Sequence, residues 1–82
     1  MALKDRTLAT VTEVLGNSLH RGDGEITANT LVHDELNATS LNFVEIQAVA
    51  QEKYGALLSF AELQRCKTVG EIADVITKAI LG

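Results

Sequence analysis

The sequence predicts an all-α fold, a small four-helix bundle of three longer helices plus one short, with a long loop between helices I and II. Three observations carry that class. Apolar residues recur at helical spacing in three separate stretches. Two Ser/Thr-x-x-Glu signatures mark helix starts in the second half of the chain. Proline is absent, and the aromatics amount to two phenylalanines and one tyrosine, a composition that favours a bundle over a β-sandwich or barrel. At 82 residues the chain is read as one domain, 1–82. A chain this short buries about 60% of its unfolded surface on folding. Its hydrophobic fraction of 46% suffices for one core, built mainly from aliphatic side chains.

The first helix spans residues 3–19. Leu8, Val11, Leu15 and Leu19 fall on one face, with Asp5 as N-cap and Gly16 and Asn17 fraying the far end. Its β-branched threonines lower the intrinsic helix propensity. From His20 to Thr39 the chain is polar, with a turn at Gly22, Asp23 and Gly24. A structureless connection of that length is uncommon in a small domain. Ile26, Leu31, Val32 and Leu36 are expected to pin it to the bundle as an ordered crossover, with a helical turn near Ala28–Leu31. Asn37 stands where the chain reverses, a place suited to asparagine's tolerance of left-handed backbone.

The second helix runs from about Ser40 to Lys53 and stops at Gly55. Phe43, Ile46, Ala50 and Tyr54 face the core. Leu41, Glu45, Ala48 and Glu52 form a second stripe, which reads equally as an ordinary solvated face or as a contact surface. Ser59-Phe60-Ala61-Glu62 opens a short third helix over Phe60–Arg65. Thr68-Val69-Gly70-Glu71 opens the last, whose stripe is Val69, Ile72, Ala73, Ile76 and Ile80, ended by Gly82.

Eleven acidic residues against seven basic give a net charge of −4. There is no basic stripe of the kind that nucleic acid demands, so no nucleic-acid partner is expected. The acidity allows docking to basic partner surfaces. No apolar run is long enough for a signal peptide or a membrane span, so the protein is expected to be soluble, cytoplasmic and without a membrane partner. Cys66 is a single cysteine in an apolar pattern and is read as core. His20 and His33 are read as solvated, and no metal site is expected. No acid–base pair, metal cluster or phosphate loop offers a constellation for catalysis, so the chain is not expected to be an enzyme.

The chemistry concentrates at Asn37-Ala38-Thr39-Ser40-Leu41-Asn42-Phe43-Val44-Glu45. Thr39 can act as N-cap, its side-chain oxygen accepting from a backbone N–H. Ser40 then lies in the first helical turn, where free N–H groups and the dipole favour negative charge. An arbitrary serine in that position is usually no more than a second capping residue.

The wider pattern resembles the acyl carrier protein family over essentially the whole chain. Leu36-Asn37-Ala38-Thr39-Ser40-Leu41 is similar to that family's Leu-Gly-Ala-Asp-Ser-Leu, and Val44-Glu45-Ile46 to its Val-Glu-Leu. Glu52-Lys53-Tyr54-Gly55 resembles its Glu-Glu-Phe-Gly, and Thr68-Val69-Gly70-Glu71-Ile72 its Thr-Val-Gly-Asp-Leu. Glu25-Ile26-Thr27 through Leu31-Val32 is similar to the loop after its first helix. The resemblance implies that Ser40 is an acceptor bearing 4′-phosphopantetheine from coenzyme A, attached by a separate phosphopantetheinyl transferase. The thiol of that arm would carry acyl groups as thioesters among enzymes of fatty-acid, polyketide or related biosynthesis. It also implies a docking face of Leu41, Glu45, Ala48 and Glu52. That face would meet acyl-transferring or condensing enzymes with basic surfaces in small, salt-sensitive contacts of a monomeric carrier. Two departures stand out: Thr39 replaces the usual aspartate, and Asn37 the glycine. With Gln47 and Gln51 lowering the acidity of helix II, they tilt the reading toward a discrete carrier of a specialised pathway. A peptidyl or aminoacyl carrier is the first alternative, although Asn37-Ala38-Thr39 does not match its Gly-Gly-His or Gly-Gly-Asp. The second is an unmodified carrier fold acting as an interaction module.

Overall fold

A computed structural model describes residues 2–21 and 25–82. The expected turn at Gly22, Asp23 and Gly24 lies outside them. Among the described residues the chain forms four helices: α1 Leu3–Leu19, α2 Ser40–Tyr54, α3 Phe60–Arg65 and α4 Val69–Leu81. The all-α class and the order of elements are those expected. α1 packs chiefly along α4 and also meets α2, while the short α3 bridges α2 and α4.

One core forms between them. Val11 and Leu15 from α1, Phe43, Ile46 and Ala50 from α2, Leu63 from α3, and Val69, Ile72, Ala73 and Ile76 from α4 are all buried. Each of those apolar stripes follows the 3.6-residue period that turns one face of a helix inward. Phe43 is the largest side chain buried there, and Phe60 meets its ring edge-on at 6.2 Å. Cys66 is buried as expected; burial, with the Glu71, Glu62 and Asp74 carboxylates nearby, pushes its thiol up to about 11.

The threonines of α1 are more than weak helix formers. Thr7 and Thr10 are buried. The Thr7 hydroxyl pairs with that of Thr77 at 2.8 Å and reaches the Ala73 carbonyl at 3.3 Å, fastening α1 to α4. Thr10 pairs with the Tyr54 hydroxyl at 2.8 Å, fastening α1 to the end of α2. Each buried hydroxyl is thus satisfied across a helix interface. The cap of α1 is also corrected: Ala2 is the N-cap and Asp5 lies within the first turn, where it still complements the dipole. The helix does not fray at Gly16; it runs to Leu19 and closes on His20 in the left-handed conformation.

The crossover loop is ordered, and its backbone does much of the pinning. Thr30 N–H bonds to the Thr27 carbonyl at 3.1 Å, and further turns follow over 32–36. The loop then runs antiparallel to the α3–α4 junction, with Leu31 bridged to Thr68. Val32 N–H donates to the Lys67 carbonyl at 2.9 Å, and Val69 N–H to the Thr30 carbonyl at 3.0 Å. Gly70 N–H donates to the Ala28 carbonyl at 2.8 Å. Ile26, Val32 and Leu36 are buried as expected, but Leu31 is exposed, since its backbone and not its side chain makes the attachment.

Both later capping signatures hold in their first half. Ser59 accepts from Glu62 N–H at 3.3 Å, and Thr68 from Glu71 N–H at 3.1 Å. Glu71 Oε1 reaches one residue further back than a capping box requires, to the Lys67 N–H at 3.0 Å. Gly70 admits the loop at close range: a Cβ there would lie 3.0 Å from the Ala28 carbonyl oxygen. Gly70→Ala is therefore expected to lower unfolding free energy by about 1–3 kcal/mol through overpacking, read as a lower urea midpoint with the helical signal retained.

Candidate functional site

The loop delivers the start of α2. Asn37 N–H bonds to the His33 carbonyl and Ala38 N–H to the Val32 carbonyl, both at 3.1 Å. Asn37 then takes φ 51°, the left-handed turn expected of it, and aims the chain at α2. Thr39 is extended at the N-cap and Ser40 is the first helical residue. Ser40 is exposed, and its hydroxyl has no hydrogen-bond partner among the described residues. By position, the N–H groups of Ser40 and Leu41 open the helix without intrahelical acceptors.

Thr39 is the N-cap, as expected, and the cap is reciprocal. Thr39 and Asn42 form a capping box: the Thr39 side chain faces the Asn42 backbone N–H, and the Asn42 side chain serves the Thr39 backbone in return. Its Oδ1 accepts from the Thr39 N–H at 2.7 Å. The Thr39 hydroxyl also donates to that same oxygen at 3.2 Å. Asn42 is only 5% exposed. Its amide nitrogen extends the chain of contacts to Glu45 Oε1 at 3.4 Å, and Ser18 of α1 donates to that oxygen at 2.6 Å. Thr39, Asn42, Glu45 and Ser18 thus form one polar network tying the start of α2 to the end of α1. Helical spacing assigns no role to Ser18 and none of its own to Asn42, for which the Thr-x-x-Asn spacing is the available signal.

The four residues of the second α2 stripe are not equivalent. Leu41, Ala48 and Glu52 are exposed, whereas Glu45 is half-buried and turned to α1. Val44, which sequence reasoning did not place on this surface, is 48% exposed beside Leu41 at 67%. No acidic residue lies in the first turn of α2, and Lys53 lies in its last. An anionic substituent on Ser40 would meet the positive end of the helix dipole with no carboxylate in that turn to oppose it. The site fits a phosphodiester.

His33 is exposed but not merely solvated. Its Nε2 lies 3.0 Å from the Gln64 carbonyl, and its ring tilts against Phe43 at 5.8 Å, so it joins the loop to α2 and α3. No group of three or more metal-ligating side chains occurs among the described residues. No helix of the described residues is long and apolar enough to cross a membrane.

The phosphopantetheine attachment site family matches residues 8–76. The chain belongs to that family. An acyl carrier protein of Acidothermus cellulolyticus is 30% identical, over 96% of this chain and 95% of its own. One from Thermotoga maritima is 25% identical over 98% of this chain and 99% of its own. A meromycolate extension acyl carrier protein of Mycobacterium leprae is 28% identical over 92% of this chain and 65% of its own. Members are carriers and not enzymes, and the group they bear is covalent 4′-phosphopantetheine.

Removing the Asn42 side chain tests the carrier's cap. Asn42→Ala leaves the Thr39 N–H without its acceptor and is expected to cost about 1–2 kcal/mol, measured by urea unfolding. Ser18→Ala, at the outer end of the network, should cost less.

Proposed function

We propose that Ser40 is the attachment residue and that this carrier shuttles thioester-bound acyl intermediates between biosynthetic enzymes. The observation that carries the reading is the exposed Ser40 hydroxyl at the first position of α2, in a turn without carboxylates. Ser40 acts as an acceptor: its oxygen takes the phosphopantetheinyl group from coenzyme A as a phosphodiester and gives up a proton, while the nucleotide portion leaves. No histidine or carboxylate hydrogen-bonds to that hydroxyl among the described residues, so the base that receives the proton belongs to a separate phosphopantetheinyl transferase. Once bound, the group supplies a thiol for the acyl thioester.

Thr39 and Asn42 hold the first turn, and Leu41 with Ala48 and Glu52 borders the serine where partner enzymes approach. The absence of a carboxylate before Ser40 and the amides Gln47 and Gln51 favour a specialised pathway, of polyketide or hybrid type, over housekeeping fatty-acid synthesis. We place the carrier in the cytoplasm as a monomer.

Intact-mass analysis after incubation with coenzyme A and a broad-specificity phosphopantetheinyl transferase tests the assignment. The expected result is a gain of one phosphopantetheine unit that Ser40→Ala abolishes, with stability changed by no more than about 0.5 kcal/mol. A gain that survives Ser40→Ala would move the attachment elsewhere. No gain in the wild-type chain would favour the unmodified interaction module.

A further inference from the structure

Ser18 lies one residue before the end of α1, and its hydroxyl is used differently from those of its neighbours on that helix. Thr7, Thr10 and Thr12 each reach a carbonyl one turn back in α1, those of Lys4, Arg6 and Ala9. That is the usual outlet for a hydroxyl inside a helix. Ser18 instead donates across to Glu45 Oε1 of α2 at 2.6 Å, the short distance of a hydrogen bond to a carboxylate. Half-buried Glu45 is thereby held in one place, with the same oxygen facing the Asn42 amide nitrogen at 3.4 Å. A carboxylate only accepts, so it draws the nitrogen end of the Asn42 amide and leaves Oδ1 to point the other way. Oδ1 then takes the Thr39 N–H at 2.7 Å. Turned over, the amide would set donor against donor at Thr39 and acceptor against acceptor at Glu45. Asn42 is too deeply buried for water to repair either mismatch.

Thr39 is consequently held at both of its backbone groups. It gives its N–H to the Asn42 side chain, and its carbonyl accepts from the Asn42 and Phe43 N–H groups at 3.0 and 3.3 Å. The direction in which the Ser40 side chain leaves the backbone follows from that anchorage, and beyond it the hydroxyl has a single rotatable bond. Attack on coenzyme A demands direction. The Ser40 oxygen forms its bond to phosphorus in line with the breaking phosphorus–oxygen bond to the nucleotide, while its proton passes to the transferase. We infer that Ser18 is a positioning residue for the modification of Ser40. Through Glu45 it fixes the sense of the Asn42 amide, and through that amide the backbone that aims the Ser40 oxygen. The inference rests on Ser40 being the attachment residue and concerns the rate of the transfer step, not the binding of the transferase.

The test follows modification of the full apo chain by intact mass, with saturating coenzyme A and a broad-specificity phosphopantetheinyl transferase. Ser18→Ala is expected to lower kcat by about fivefold or more, because small misplacements of a reacting atom are costly, with KM changed by less than about twofold. Ser18→Thr keeps a hydroxyl donor and should restore kcat to within about twofold of wild type. Asn42→Ala should lower kcat at least as far as Ser18→Ala. Combining the two should lower it little further, since both act through one chain of contacts. Thr12→Ala, which removes a hydroxyl that serves its own helix, is the unchanged control. In nuclear magnetic resonance spectra, the Thr39 amide proton of Ser18→Ala should move upfield as its bond to Asn42 weakens, with the helical circular dichroism retained. An unchanged kcat in Ser18→Ala, a rise of KM alone, an unmoved Thr39 amide or a failure of Ser18→Thr to restore the rate overturns the inference and leaves Ser40 as the attachment residue. Loss of the helical signal in Ser18→Ala does the same, since Ser18 would then be needed for folding and not for aim. Modification that survives Ser40→Ala overturns both readings.

Discussion

The position of the serine depends on three backbone hydrogen bonds remote from it. Val32 N–H to the Lys67 carbonyl, Val69 N–H to the Thr30 carbonyl and Gly70 N–H to the Ala28 carbonyl strap the crossover loop onto the α3–α4 junction. A long connection between two helices is entropically costly to order, and side chains alone leave this one loosely determined. The strap fixes it by giving buried backbone groups partners that the helices do not supply. With Val32 and Leu36 seated in the core, the chain then has one route to Asn37, whose left-handed turn launches α2.

From that turn the control of geometry passes to side chains. Asn42 serves the Thr39 N–H, and Glu45 takes hydrogen bonds from Asn42 and Ser18. The first turn of α2 is thereby held from within the loop, along the helix and from α1.

Much of this was legible in the sequence. The 3.6-residue stripes of α1, α2 and α4 report their buried faces directly, because each helix buries one side against a single core. Asn37 and Gly55 announced left-handed positions, and both adopt them. The strap was not legible, since backbone pairing leaves no side-chain signature; Leu31 looked like a core residue for that reason and is exposed. The direction of Glu45 was equally hidden. Its place on the α2 stripe follows from spacing, whereas its partner Ser18 comes from another helix whose azimuth only packing determines. The returning half of the cap depends on Asn42, a residue that reads as ordinary helix filler until its burial is seen.

The central claim is that the strap and the start of α2 form one cooperative unit. Native-state hydrogen exchange at the amides of Val32, Val69 and Gly70, compared with Phe43 and Ile46 of α2, tests it most directly. All five are expected to exchange with opening free energies that merge at the global value as denaturant is added. Strap amides that open freely while Phe43 and Ile46 stay protected would contradict it, and would leave the placement of Ser40 to the helix alone.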